Sequence, residues 1–213
     1  MARISRVSAQ DANQEVGLTY LYTRQGLAEL AGRETESMIE LLELYAHVPG
    51  LLRGYATFEQ ATAELDHVDQ RPQALVQLKA ATLTHCEYCI DIGSQISRRW
   101  GLSDQELLAL PLYQTSPLFS DLEKLVLDYA VGMSRTPVEV SDALFARLRE
   151  HFDDAQLVVL THLIALENMR GRFNLALGVG AAGFSEGMVC AVPAFVEPPT
   201  NGSLDVPSNA AAL

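Results

Sequence analysis

The stretch Lys79-Ala80-Ala81-Thr82-Leu83-Thr84-His85-Cys86-Glu87-Tyr88-Cys89-Ile90-Asp91-Ile92-Gly93-Ser94 decides how this chain is read. Up to Thr84 it is the end of a helix that opens near Pro72, with Leu75, Leu78, Lys79, Thr82 and Leu83 at helical spacing. From about Glu87 a second helix begins, carrying Ile90, Ile92, Ile96 and Trp100 and ending at Gly101. Two cysteines, Cys86 and Cys89, fall at the junction. A thiol in the first turn of a helix faces unpaired N–H groups and the positive end of the macrodipole. Both favour the thiolate, which is the nucleophile. The i, i+3 spacing brings the two sulfurs onto one face, close enough to close a disulfide with small adjustment. The pair can therefore cycle between dithiol and disulfide. Two other readings stand beside this one. The cysteines could be small buried hydrophobes at a helix start. They could bind zinc, but that needs four ligands, and His85, His67 or Cys190 would have to be recruited. No metal and no cofactor is expected.

Outward from this junction the helical pattern continues, and the alternation typical of strands is missing almost throughout. Val16, Leu18, Leu21, Leu27 and Leu30 suggest a first helix. Glu34 to His47 reads as a second, stopped by Pro49, and Leu51 to Leu65 as a third. Ser103-Asp104-Gln105-Glu106 is a capping box for a short helix ended by Pro111, and Ser120-Asp121-Leu122-Glu123 opens another to about Met133. Ser141 caps a helix ending near His151, and Asp153 to Gln156 cap a long one running to Gly178. The fold class is all-α. Residues 1–12 are expected to be flexible, 13–190 to form a single helical domain, and 191–213, rich in proline, to be an extended or disordered tail.

Composition supports a folded chain and excludes some partners. With 48% hydrophobic and 20% charged residues over 213, the chain can bury a core. Its formal charge of −12 argues against nucleic acid and against anionic lipid. The most apolar stretch, Leu157 to Leu166, is too short to span a bilayer. No signal peptide is evident, so a cytoplasmic address is expected, where cysteines are more often thiols, ligands or catalysts than structural bridges.

The segment from Ala74 through His85-Cys86-Glu87-Tyr88-Cys89-Ile90-Asp91-Ile92, with Ser94 and Gly101-Leu102-Ser103, resembles the carboxymuconolactone decarboxylase family. That family includes the AhpD-like alkylhydroperoxidases. The resemblance continues through Ser116 to Glu123, through His151 to Gln156, and through Asn168-Met169-Arg170-Gly171-Arg172-Phe173-Asn174-Leu175-Ala176-Leu177-Gly178. It implies an AhpD-like helical fold and a homo-oligomer, whether dimer, trimer or hexamer. It further implies that Cys89 is peroxidatic and Cys86 resolving, with a thiol-reductase as electron donor. Two positions depart from the peroxidase pattern. Ala74 stands where peroxidases carry a glutamate, twelve residues before the first cysteine, and Gly93 where they carry a histidine, four after the second. The proton relay those groups form is missing, which weakens the expectation of peroxidase activity but not that of dithiol–disulfide chemistry.

The expected function is a thiol-dependent oxidoreductase acting on a small hydroperoxide or disulfide. The alternatives are a cofactor-free lyase or isomerase on a small organic acid or lactone, and a non-catalytic oligomeric scaffold. His85, Asp91 and His162 are candidate supporting residues beside Cys86 and Cys89. Glu167, Arg170 and Arg172 either hold a substrate carboxylate or, as the favoured reading, form an ion pair between subunits. Asn168 and Asn174 are read as caps or bridges to buried backbone. Cys190 is read as a small buried hydrophobe, and Tyr88 as part of a pocket wall.

Overall fold

The computed structural model describes residues 2–193. The tail beyond residue 193 lies outside the described residues. Among the described residues nine α-helices follow in order: α1 (Gln14–Ala31), α2 (Glu40–Tyr45), α3 (Pro49–Ala63), α4 (Gln70–Thr84), α5 (Glu87–Arg99), α6 (Asp104–Ala109), α7 (Asp121–Ser134), α8 (Asp142–Arg149) and α9 (Asp154–Leu177). A 3-10 turn, Leu110–Leu112, extends α6, and no strand occurs among the described residues.

The caps fall where the sequence put them. Ser103 with Glu106, Ser120 with Glu123, and Asp153 with Gln156 form reciprocal capping boxes that satisfy orphan N–H groups at the starts of α6, α7 and α9. Arg71, at the start of α4, reaches both box glutamates, Glu106 and Glu123. Burial pushes these carboxyls up, but the guanidinium and the serine donors more than offset it and hold both below the ordinary glutamate range. One cation thereby ties three helix starts together.

The expected helix from Glu34 to His47 is a correction. Residues 33–39 form a loop and turns, and only Glu40–Tyr45 is helical. Gly32 ends α1 in the left-handed conformation, and Arg24 of α1 takes the Thr35 carbonyl at 3.0 Å and the Glu36 carbonyl at 3.3 Å. Those carbonyls are engaged outside any helix. Met38, Ile39, Leu41, Leu42 and Tyr45 are nonetheless all buried, as their spacing implied. Pro49 opens α3 instead of merely stopping its predecessor, since its missing N–H costs nothing in a first turn.

Helix α4 is the hub, packed against α5, α7 and α9. Leu75, Leu78 and Ala81 face one apolar cluster with α1, α2, α3 and α5, while Val76 and Ala80 face another built on α7, α8 and α9. A helix covered on all sides has little polar surface left. The cation in its middle, Lys79, is buried beneath the 3-10 turn. Its ammonium donates to the Leu110 carbonyl at 3.3 Å and lies 4.7 Å from the Tyr113 ring centre. Burial, partly offset by Asp128, lowers its pKa from 10.5 to about 8.

A lysine whose pKa falls on folding costs stability in full below its folded value, and the cost fades as pH rises to its unfolded value. Between about pH 8 and 10.5 the unfolded chain binds more protons, so stability should rise with pH across that window. Lys79→Met should remove that rise and raise stability at neutral pH by ~1–3 kcal/mol, read from denaturant midpoints across pH. An unchanged pH slope would show that the ammonium is solvated.

Candidate functional site

Helix α4 ends because His85 adopts the left-handed conformation, φ 58°, and the Cys86 N–H then bonds back to the Ala81 carbonyl at 3.3 Å. Histidine tolerates this region better than most residues with a Cβ. Cys86 follows with extended dihedrals as the N-cap of α5, and Cys89 is the third residue of that helix. The Cys89 N–H donates to Cys86 Sγ at 3.2 Å, so a sulfur occupies the place of a capping oxygen. The two cysteines are joined by a disulfide, with Cα atoms 5.2 Å apart. Both are buried, Cys86 at 1% exposure and Cys89 at 4%.

A second helix completes the site. Asn174, on α9 and fully buried, points its amide Nδ2 at both sulfurs, 3.5 Å from Cys86 and 3.6 Å from Cys89. Sequence reasoning missed this role and treated Asn174 as a bridge to backbone. The available signal was helical spacing: Glu167, Gly171 and Asn174 share one face of α9. Gly171 lets that face approach α4, since a methyl there would sit 2.5 Å from Thr84 Oγ1.

Further along the same face lies an ion cluster. Arg170 donates Nε to Glu59 Oε1 of α3 at 2.8 Å, pairs with Glu59 Oε2 through Nη2, and donates Nη1 to Glu167 Oε2 at 2.9 Å. The partners are therefore in the same chain, which corrects the expected pairing between subunits. Arg172 points elsewhere, to Asn168 and Thr136. Burial pushes Glu59 up, but Arg170 outweighs it and holds the carboxyl below the usual range. Burial wins at Glu167, aided by the Glu59 charge, and its carboxyl is raised. Tyr45 stacks between Tyr55 and Phe173, with ring centres 4.5 and 4.2 Å away.

The candidate supporting residues are not gathered around the sulfurs. His85 is exposed, and its part is the backbone turn. Asp91 is buried, and its carboxylate accepts four backbone N–H groups: Ala182, Gly183 and Phe184 on Oδ2, and Ser185 on Oδ1, at 2.6–3.0 Å. It anchors the segment after α9 onto α5. Phe184 then lies edge-on to Tyr88, between the cysteines, at 6.2 Å. His162 bonds Thr62 of α3 at 2.8 Å and meets the Phe58 ring edge-on. Cys190 is half-buried and unbonded. Ala74 is buried, and the space where a Cβ of residue 93 would project meets Leu78 Cδ1 at 3.2 Å. The two relay positions are thus occupied by packing. Among the described residues, no three His, Cys, Asp or Glu side chains converge to hold a metal ion, and no helix is long and apolar enough to cross a membrane.

The all-helical bundle is a fold shared with solved structures of AhpD-like proteins. The chain superposes on the debrominase Bmp8 with a TM-score of 0.70 at 16% identity, covering 85% of this chain and 93% of that one. On the alkylhydroperoxidase AhpD core of a peroxidase-related protein from Ralstonia eutropha JMP134 the TM-score is 0.67 at 18% identity, covering 84% and 92%. Residues 49–131, the segment bearing Cys86 and Cys89, match the carboxymuconolactone decarboxylase family model. The uncharacterized protein YnjA of Escherichia coli (strain K12) is 43% identical over 127 residues, 59% of this chain. The chain spans 66% of that relative's length.

Proposed function

We propose that the chain is a thiol–disulfide oxidoreductase working through Cys86 and Cys89. The observation that carries this reading is the convergence of two N–H donors on the sulfurs, the Cys89 backbone and Asn174. A buried thiolate is otherwise disfavoured, and these donors stabilise the charged sulfur. Cys86 receives both, so it is the better leaving thiolate; Cys89 receives one and is slightly more exposed. In the oxidising direction, the Cys89 thiolate attacks a disulfide, forming a mixed disulfide and expelling one substrate thiolate. The Cys86 thiolate then displaces the second and closes the Cys86–Cys89 bond. Two electrons pass from the pair to the substrate, and a dithiol donor restores the pair by the reverse exchange.

Hydroperoxide is the poorer substrate in this reading. Its leaving group needs a proton, and the packing at Ala74 and Gly93 supplies none, whereas a leaving thiolate is stable without one. The reduced protein should therefore react faster with small disulfides than with hydroperoxides. Asn174→Leu should slow the disulfide reaction by ~10-fold and raise the thiolate titration by about one unit, since an interior hydrogen bond to a charged group is lost. Stopped-flow exchange and thiolate absorbance read both. Equal rates and titrations in the variant would remove Asn174 from the mechanism.

A further inference from the structure

We propose that Glu167 is the proton partner of the Cys86–Cys89 couple, taking up a proton when the buried disulfide is reduced to one thiol and one thiolate. This rests on the thiol–disulfide reading above and extends it to the control of charge inside the site.

Glu167 is 6% exposed and lies on the face of α9 that presents Asn174 to the sulfurs, two turns away, or ~10 Å along the helix axis. One carboxyl oxygen is held by Arg170 at 2.9 Å. The other, Oε1, is buried and finds no hydrogen-bond partner among the described residues. A buried carboxylate oxygen with no donor is an acceptor waiting for a proton. Arg170 cannot neutralise both its partners, because its fork to Glu59 already commits Nε and Nη2. The cluster therefore carries one surplus negative charge when both glutamates are ionised.

The charged and titratable groups around Glu167 come from four elements. On α9 they are Arg170 and His162, and on α3 Glu59 and Tyr55. On α2, Tyr45 feels Glu59. On α5, Tyr88 feels Arg170, Glu59, Asp91 and Glu167, and its hydroxyl is fixed on the Met38 carbonyl. Burial pushes both carboxyls of the cluster up; Arg170 outweighs it at Glu59, which is held ionised, but not at Glu167.

The step balances. A donor dithiol gives two electrons to the Cys86–Cys89 bond and becomes a disulfide, releasing two protons. One proton ends on a cysteine as the thiol and the other on Glu167, while the second cysteine stays a thiolate. Negative charge moves from carboxylate to sulfur, and the interior gains none. Equilibrium coupling of this kind needs no contact. At ~10 Å and an effective dielectric constant near 20 it amounts to about one pH unit between the two sites.

The test uses the full chain, equilibrated with dithiothreitol redox buffers between about pH 5 and 9, with thiolate absorbance followed throughout. In the wild type, thiolate appearance should spread over two coupled steps. In Glu167→Gln it should collapse to one step, displaced downward by about one unit, because the neutral amide no longer repels the thiolate. Should Glu167→Gln fail to fold, the infrared difference between oxidised and reduced wild type gives the same answer: a carboxylic-acid carbonyl band should appear on reduction. Identical thiolate titrations in the two proteins, or no such band, would overturn the proposal while leaving the thiol chemistry intact. A pair that does not equilibrate with dithiothreitol at all would overturn both.

Discussion

Arg170→Met is expected to destabilise the protein by ~2–4 kcal/mol at neutral pH, with a fall in melting temperature of about 5–15 °C. The guanidinium is the shared partner of Glu59 and Glu167, and methionine keeps an unbranched apolar stem without the charge. Removing one partner of a buried ion pair leaves the others charged and poorly solvated, which costs more than the pair itself contributed. Here two carboxylates are left, facing each other across α3 and α9. The pH dependence has a definite sign. Glu59 is held low by Arg170, so its contribution is present above the ordinary carboxylate value of 4.5 and is lost as pH falls below it. In the variant both carboxyls can protonate, so the gap between wild type and Arg170→Met should narrow on acidification. Adding Glu59→Gln and Glu167→Gln to Arg170→Met should recover most of the loss. Equal stability of wild type and Arg170→Met would mean the cluster is solvated and would also weaken the charge argument for Glu167.

Asp91→Ala is the second large effect. Four backbone donors at 182–185 lose their acceptor; the polar ties that remain there are Ser185 Oγ on the Asp91 carbonyl at 2.8 Å and Arg33 Nη1 on the Phe184 and Glu186 carbonyls at 3.3 and 3.1 Å. Buried donors left unpaired cost ~1–3 kcal/mol each, but the segment can peel away and find water. The expected loss is therefore ~2–4 kcal/mol in total, well under that sum. Peeling has a second consequence. Phe184, buried against Tyr88, leaves with the segment, and the first turn of α5 is uncovered. Reduction of the Cys86–Cys89 disulfide by a small thiol should accelerate in Asp91→Ala even as the protein becomes less stable. Destabilisation without faster reduction would mean that the segment does not cover the pair.

These two predictions rest on contacts the sequence did not disclose, and the reason is distance along the chain. Ser103, Ser120 and Asp153 announce their helix starts within four residues, because a capping box is a local contract between side chain and backbone. Cys86 and Cys89 are legible for the same reason, as is the all-helical class. Glu59 and Arg170 are 111 residues apart, and Asn174 is 88 residues from Cys86. Those pairings depend on how α9 lies on α3 and α4, which no local pattern fixes. Asp91 looks from its sequence position like a modulator of Cys89, but its carboxylate is captured by a turn more than ninety residues later. The α2 region failed for the opposite reason. Its apolar spacing was right, yet Arg24 drew two carbonyls away and the chain turned instead of coiling.

The most direct test of the central claim is a redox titration of the folded wild type and of Cys89→Ser against a dithiothreitol buffer, with thiols counted and helicity followed. The account predicts that Cys86 and Cys89 in the wild type exchange two electrons reversibly with helicity unchanged. It further predicts that the reduced pair reacts with a small disulfide through a thiolate titrating below the ordinary cysteine value near 8.5, and that Cys89→Ser does neither. A pair that is reduced only as the protein unfolds, or that reacts no faster than Cys89→Ser, would make the bond a structural staple and contradict the account.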